Sequence, residues 1–284
     1  MNDIDIDHLR QWIGKEQVAQ DMLSSRHARL MAATLELDQT RFTDGAPLPP
    51  LWHWLYFLEG LPPSQLGPDS HPARGSFLPP VPLQNRMWAG GQLEFDGELT
   101  LGLPAEKRSC VSDVVHKRGR SGNLVFVTVR HEIHQLGRCV VSERHDIVFK
   151  EAGGPARRQS AEALGLPSAH YTETIRPDAT TLFRYSALTF NGHRIHYDQA
   201  YCREAEGYPD LVVHGPLNAT LLAGIARRVR GAPLRHFSYR GLSPAIVGQD
   251  IQLSAAADAV IPGRLLLWAA LPGGDIAMHA SAEY

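Results

Sequence analysis

The stretch from Pro216 to Val229 constrains this chain more than any other. Proline suits the first turn of a helix, Leu217, Leu221, Ile225 and Val229 recur as an apolar stripe, and Gly231 with Pro233 stops the run. Ala219, Ala223, Gly224 and Ala226 keep the helix slim, so a sheet can close tightly around it. Strand-like segments follow it at Phe237 to Leu242, Ile246 to Ala255, Arg264 to Leu271 and Ile276 to Tyr284. An antiparallel sheet with one apolar face and one apolar helix must bury those surfaces against each other.

The first half shows the same order of textures. Ile6 to about Leu37 reads as helical through Leu9, Ile13, Val18, Met22 and Leu23, and Leu51 to Leu58 reads as a short buried aromatic helix. Asn123 to Arg130, Cys139 to Arg144 and Asp146 to Phe149 then alternate as an antiparallel meander. Gly122-Asn-Leu-Val-Phe-Val-Thr-Val is echoed by Gly263-Arg-Leu-Leu-Leu-Trp-Ala-Ala. The expected architecture is α+β, a double hot-dog in which two antiparallel sheets each wrap a central helix. Glu151 to Ser168 is small, polar and broken by Gly and Pro, which makes it the expected linker, with the boundary near 155 to 168. The expected units are 1–155 and 169–284.

At 284 residues, 43% hydrophobic, 20% charged and with a formal charge of -2, the chain lacks the basic excess of a nucleic-acid binder. No apolar run approaches the roughly 18 to 20 residues that span a bilayer, and the start MNDIDIDHLR is acidic, so no membrane partner and a cytoplasmic location are expected. Cys110, Cys139 and Cys202 are far apart and show no metal or redox spacing.

Upstream of the slim helix lies Asn191-Gly-His193-Arg194-Ile195-His196-Tyr197-Asp198, and eighteen residues after His196 comes His214-Gly215 at the helix start. A helix start offers unpaired backbone N–H groups and a positive dipole end, where a developing enolate oxygen can be held. Glycine at 215 lets a thioester carbonyl approach the backbone. This constellation resembles the hydratase-2 signature of the MaoC-like hydratases and dehydratases, usually D-x-N-P-x-H with an H-G pair opening the central helix. Within that family the variant is similar to the type 2 hydroxyacyl-thioester dehydratases and to the mesaconyl-C4-CoA and itaconyl-CoA hydratases.

The resemblance implies that His196 handles the proton, that the Gly215 N–H holds the thioester oxygen, and that Asn191 stands where the family has its Asp. His193 and Arg194 stand where it has Asn and Pro. Because Asn191 cannot act as a carboxylate base, either His196 works by itself or His193 or Asp198 shares its duties. Arg194, with Arg86 and Arg184 as substitutes, is the expected partner of a free substrate carboxylate. Arg227, Arg228 and Arg230 complement the helix dipole and are secondary candidates for coenzyme-A phosphates. His193 with His196, or His131 with His134, lack a third zinc ligand at convincing spacing, and Ser186, His196 and Asp198 lack a nucleophile elbow, so neither a metal site nor a serine triad is expected.

The expected activity is a hydro-lyase that adds water to a short dicarboxylic enoyl-CoA. The alternatives are a type 2 3-hydroxyacyl-thioester dehydratase of fatty-acid metabolism and a non-catalytic thioester-binding module. The expected partner is an acyl-CoA substrate, with homodimerisation as the expected assembly. No cofactor is expected, coenzyme A being part of the substrate.

Overall fold

The computed structural model describes residues 4–83, 85–119, 122–151 and 159–284. Its first half carries α1 (Ile6–Arg10), β1 (Glu16–Met22), α2 (Ser25–Thr34), β2 (Asn85–Phe95), β3 (Pro104–Gly119), β4 (Gly122–Gln135) and β5 (Arg138–Lys150). Its second half carries β6 (Tyr171–Ile175), α3 (Ala179–Thr189), the single turn α4 (Gln199–Tyr201), α5 (Gly215–Arg230), β7 (His236–Gly241), β8 (Ile251–Ala257), β9 (Leu265–Ala270) and β10 (Ile276–Glu283).

These strands form one antiparallel sheet in the order β1-β3-β4-β5-β2-β7-β10-β9-β8-β6. Each half therefore follows the same internal order, first-third-fourth-fifth-second, and the halves meet where β2 pairs with β7 from Gly90↔Arg240 to Glu94↔His236. This is the doubled hot-dog expected from the repeat of textures. The two sheets are joined edge to edge, so the seam is continuous backbone pairing as well as packed side chains.

α5 is the axis of the second half. Leu217, Leu222, Ile225, Ala219, Ala223 and Ala226 are completely enclosed, and they pack with Leu253, Leu267 and Ala280 from the surrounding strands. Leu221 and Val229, half of the stripe expected from spacing, lie at its margin, and Val229 is exposed. Among the described residues, the first half has no equivalent long helix. Its core is filled by α2 and by the aromatic run, which is a 3₁₀ turn over Trp52–Leu55. Leu51 and Phe57 flank that turn with positive φ, 68° and 59°, so the apolar run is too bent to continue as the helix expected over 51 to 58.

The helix expected over residues 6 to 37 is instead α1, β1 and α2. Gly14 at φ 84° ends the first piece, and Glu16 to Met22 then pair residue for residue with Cys110 to Pro104. Seven rows of backbone pairing with a distant strand outweigh a local apolar period, and they leave Val18 and Met22 exposed on the outer face.

Part of the expected linker, 152–158, lies outside the described residues. From Gln159 onward the chain is docked on the second sheet, through Ile276 N–H to Gln159 O at 2.8 Å, with Ala161, Leu164 and Leu166 packed on Ala256, Trp268 and Ile276. Among the described residues, no helix is long and apolar enough to cross a membrane.

Candidate active site

The signature follows α3, which Asp178 caps by accepting the Thr181 N–H at 2.7 Å and which ends at Phe190 in the left-handed region. Asn191 then closes a local turn, its side-chain oxygen accepting the His193 N–H at 3.0 Å. That oxygen is engaged in shaping the loop. A 3₁₀ turn over Arg194–His196 follows, and the Val212 N–H donates to Ile195 O at 2.9 Å, laying the signature beside the approach to α5.

His196 donates from Nδ1 to the Val212 carbonyl at 2.7 Å. The bond fixes the tautomer, leaving Nε2 as a bare acceptor that has no partner among the described residues and is not sealed off. The ring lies flat on that of His214, centroids 3.6 Å apart at 18°, and His214 is the cap residue immediately before Gly215. The proposed base thus stands at the tip of α5. Burial pushes the His196 pKa down to about 4, so the ring is neutral at physiological pH.

His193 meets His196 edge to face at 5.5 Å, and burial followed by its histidine neighbours holds its pKa far below the usual value. Gly215 begins α5, and a Cβ there would lie 3.0 Å from the Trp88 ring, so the glycine admits an aromatic side chain from the first half of the chain. The first-turn N–H groups of a helix have no partner within it. Around this tip, His214 Nδ1, Asn218 Oδ1, Trp88 Nε1 and Tyr239 OH are enclosed without a hydrogen-bond partner among the described residues.

Other candidates are spent elsewhere. Arg194 donates through Nε and Nη2 to Asp198, at 3.1 and 2.7 Å, stacks over Tyr201 and reaches Pro68 O, so its guanidinium is already occupied. Asp198 also caps α4 by accepting the Tyr201 N–H at 3.0 Å. Neither is brought to the base, because an i,i+4 ion pair at the surface satisfies both. Arg184 is exposed on α3, while Arg227 and Arg228 pair with Glu98 and Glu173 at 2.8 Å. Ser186 bonds His214 Nε2 at 2.8 Å, so the paper triad is not assembled. His131 and His134 engage Ser109 and Glu132 separately.

A cavity of about 780 Å³ opens between the Pro-rich loop before β2 and the sheet, lined by Asp69, His71, Arg74, Arg86, Phe149 and Tyr201 among others. The Arg86 guanidinium has no hydrogen bond or ion pair within 4 Å among the described residues; burial pulls its pKa down to about 10, opposed by the Asp69 carboxylate, which leaves it charged. His71 lies against His193 with centroids 4.3 Å apart and the rings tilted at 47°, and His193 in turn meets His196, so the cavity wall is linked to His196 through His193. The loop is bound to the signature, since Arg194 N–H donates to Asp69 O at 3.2 Å. Asp69, His71 and Trp88 lie beside these candidates, although sequence reasoning did not mark them. Asp69 and His71 sit in an irregular stretch where neither period nor motif announces them. Asp69, His71 and His193 hold ligand-type atoms within 4.8 Å of one another. His71 Nδ1 and Asp69 Oδ2 are a hydrogen-bonded couple at 3.2 Å.

Residues 51–247 match the family described as hydroxyacyl-thioester dehydratase type 2. The chain belongs to that family. It is 43% identical to "Mesaconyl-C(4)-CoA hydratase" of Chloroflexus aurantiacus over 274 residues, 96% of each chain. It is 28% identical to "Hydroxyacyl-thioester dehydratase type 2, mitochondrial" of Schizosaccharomyces pombe over 235 residues, 72% of this chain and 77% of that one. A MaoC-like dehydratase from Phytophthora capsici shares the fold at a TM-score of 0.70 with 14% identity, over 99% and 98% of the two chains. Membership of the type 2 dehydratase family makes this chain a hydro-lyase. His196 and Gly215 are the signature positions that the geometry brings together in it.

Proposed function

We propose that this enzyme adds water across the double bond of a short dicarboxylic acyl-CoA thioester, with mesaconyl-C4-CoA as the first substrate to test. The observation that carries this reading is Arg86, an unpaired guanidinium lining a cavity whose inner wall abuts the signature histidines. In mesaconyl-C4-CoA the free carboxylate is attached to the carbon that water attacks, so its cation must stand close to the base. Arg86 supports this reading because it lines the cavity and acts electrostatically on His71 and His193, whereas the Arg194 guanidinium is paired with Asp198. The name of the Chloroflexus relative supports the same substrate class.

In this reading the thioester carbonyl takes the Gly215 N–H at the α5 tip, where the positive end of the helix dipole stabilises enolate charge. His196 Nε2 holds the attacking water and polarises its O–H bond as oxygen adds to the β-carbon, and protonation of the α-carbon completes the addition. These steps draw on the chain's own groups and on the thioester. A second reading, dehydration of plain 3-hydroxyacyl thioesters, is favoured by Phe77, Leu78 and Phe149 in the same cavity wall.

Steady-state hydration of mesaconyl-C4-CoA, itaconyl-CoA, crotonyl-CoA and a long-chain enoyl-CoA separates the readings. The expected order puts the dicarboxylic substrates first. Arg86→Gln is expected to raise their KM by about 10-fold or more, the scale of a charge-assisted pair, while barely changing crotonyl-CoA. An unchanged preference in Arg86→Gln, or best turnover of the long plain chain, contradicts the dicarboxylic assignment.

A further inference from the structure

By the resemblance Asn191 occupies the place of the family's carboxylate, and its side-chain oxygen is used on the His193 backbone, so that position does not offer the reaction a second water-holding group. The structure brings a second candidate from the other half of the chain. His71 lines the cavity, lies against His193 at 4.3 Å, and its Nδ1 faces Asp69 Oδ2 at 3.2 Å. A carboxylate there holds the proton on Nδ1 and leaves Nε2 as a bare acceptor, the same arrangement that the Val212 carbonyl gives His196. Asp69 is fixed in turn by its own backbone, which accepts the Arg194 N–H and so ties the couple to the signature.

Building on the hydratase reading, we propose that His71, oriented by Asp69, is the second acid–base residue of this enzyme and replaces the carboxylate missing at Asn191. One water is held between His71 Nε2 and His196 Nε2. Its oxygen forms the bond to the β-carbon as one O–H bond breaks. The released proton passes to His71 Nε2, and the π electrons move into the thioester enolate. The same proton then returns from His71 to the α-carbon, so one water is added and both rings end neutral. His71 is the catalytic residue, and Asp69 is the positioning residue.

The groups that face His71 are Asp69 and Arg74 on its own loop, Arg86 on β2, and His193 and His196 from the signature. Burial and then Arg86 lower its pKa, while Asp69 raises it. Removing the Asp69 charge therefore makes His71 less basic, and the pH below which it is protonated moves down.

The test is hydration of mesaconyl-C4-CoA by the full chain, its His71→Gln variant and its Asp69→Asn variant, each with a thermal melt to confirm folding. His71→Gln is expected to lower kcat by about 100-fold or more with KM within a few-fold. Asp69→Asn is expected to lower kcat by about 10-fold or more and to shift the acidic limb of kcat/KM to lower pH, which a merely structural role would not do. A folded His71→Gln within threefold of wild-type kcat, or an Asp69→Asn limb that does not move, overturns the proposal and leaves the hydratase reading standing. Failure of the unaltered protein to hydrate any enoyl-CoA sinks the hydratase reading itself. Activity abolished by a chelator and restored by zinc would also overturn the acid–base assignment.

Discussion

A methyl group on Gly215 would press against Cε3 of Trp88 at 3.0 Å, and Trp88 is itself wedged between Tyr239, stacked at 4.5 Å, and Trp54, edge-on at 5.1 Å. Gly215→Ala must therefore move Trp88 or the tip of α5, at a cost of about 1–3 kcal/mol for overpacking. We expect kcat to fall by at least 10-fold through a displaced oxyanion donor, measured by steady-state hydration; wild-type kcat in this variant removes the tip from the account. Individual residues also show where sequence reading stops. Asn191, His193, His196 and Gly215 stand out as candidates in the sequence because they lie in one patterned segment and one helix start. Arg194 was favoured over Arg86 because adjacency in sequence was the available guide, yet the i,i+4 spacing to Asp198 that places it beside the signature also consumes it. Asp69 and His71 were not legible, since only the fold lays their loop on the signature.

Among the elements, α5 announced itself by composition, with Pro at its start, an alanine-rich body and a Gly at its end, and the structure extends it only by one residue on each side. β1 was hidden because its pairing partner lies about ninety residues away, and this seven-residue edge strand leaves Val18 and Met22 facing outward. The seam between β2 and β7 is the least forgiving contact between elements. A Cβ at Gly91 would meet the Tyr239 hydroxyl at 2.3 Å and the Arg144 backbone oxygen at 2.6 Å, and the backbone oxygen cannot swing aside. Gly91→Ala is expected to cost about 1–3 kcal/mol, read as a lower thermal midpoint and a lower urea midpoint. An unchanged midpoint would show that the two half-sheets do not depend on this close pairing.

For the molecule as a whole, the doubled sheet encloses imidazoles that are kept neutral. Burial lowers the pKa of His131 to about 4, of His145 to about 3 and of His196 to about 4, against about 6.5 in the unfolded chain. Below pH 6.5 the unfolded chain binds protons that the folded one refuses, so this stability is complete above 6.5 and lost as pH falls towards the folded values. Each ring removes about 1.4 kcal/mol per pH unit in that window. The thermal midpoint is expected to be level from pH 8 to 7 and to drop steeply from 6.5 to 5; a level midpoint down to pH 5 contradicts the buried neutral rings. The central claim joins fold to chemistry, namely that one half-sheet's helix tip and the imidazole stacked beside it form the reaction centre. The direct measurement is kcat for mesaconyl-C4-CoA hydration by His196→Gln, taken together with thioester affinity by calorimetry. The account expects kcat reduced by about 100-fold or more with Kd nearly unchanged. A variant that binds and turns over within a few-fold of the unaltered enzyme would show that the chemistry happens elsewhere.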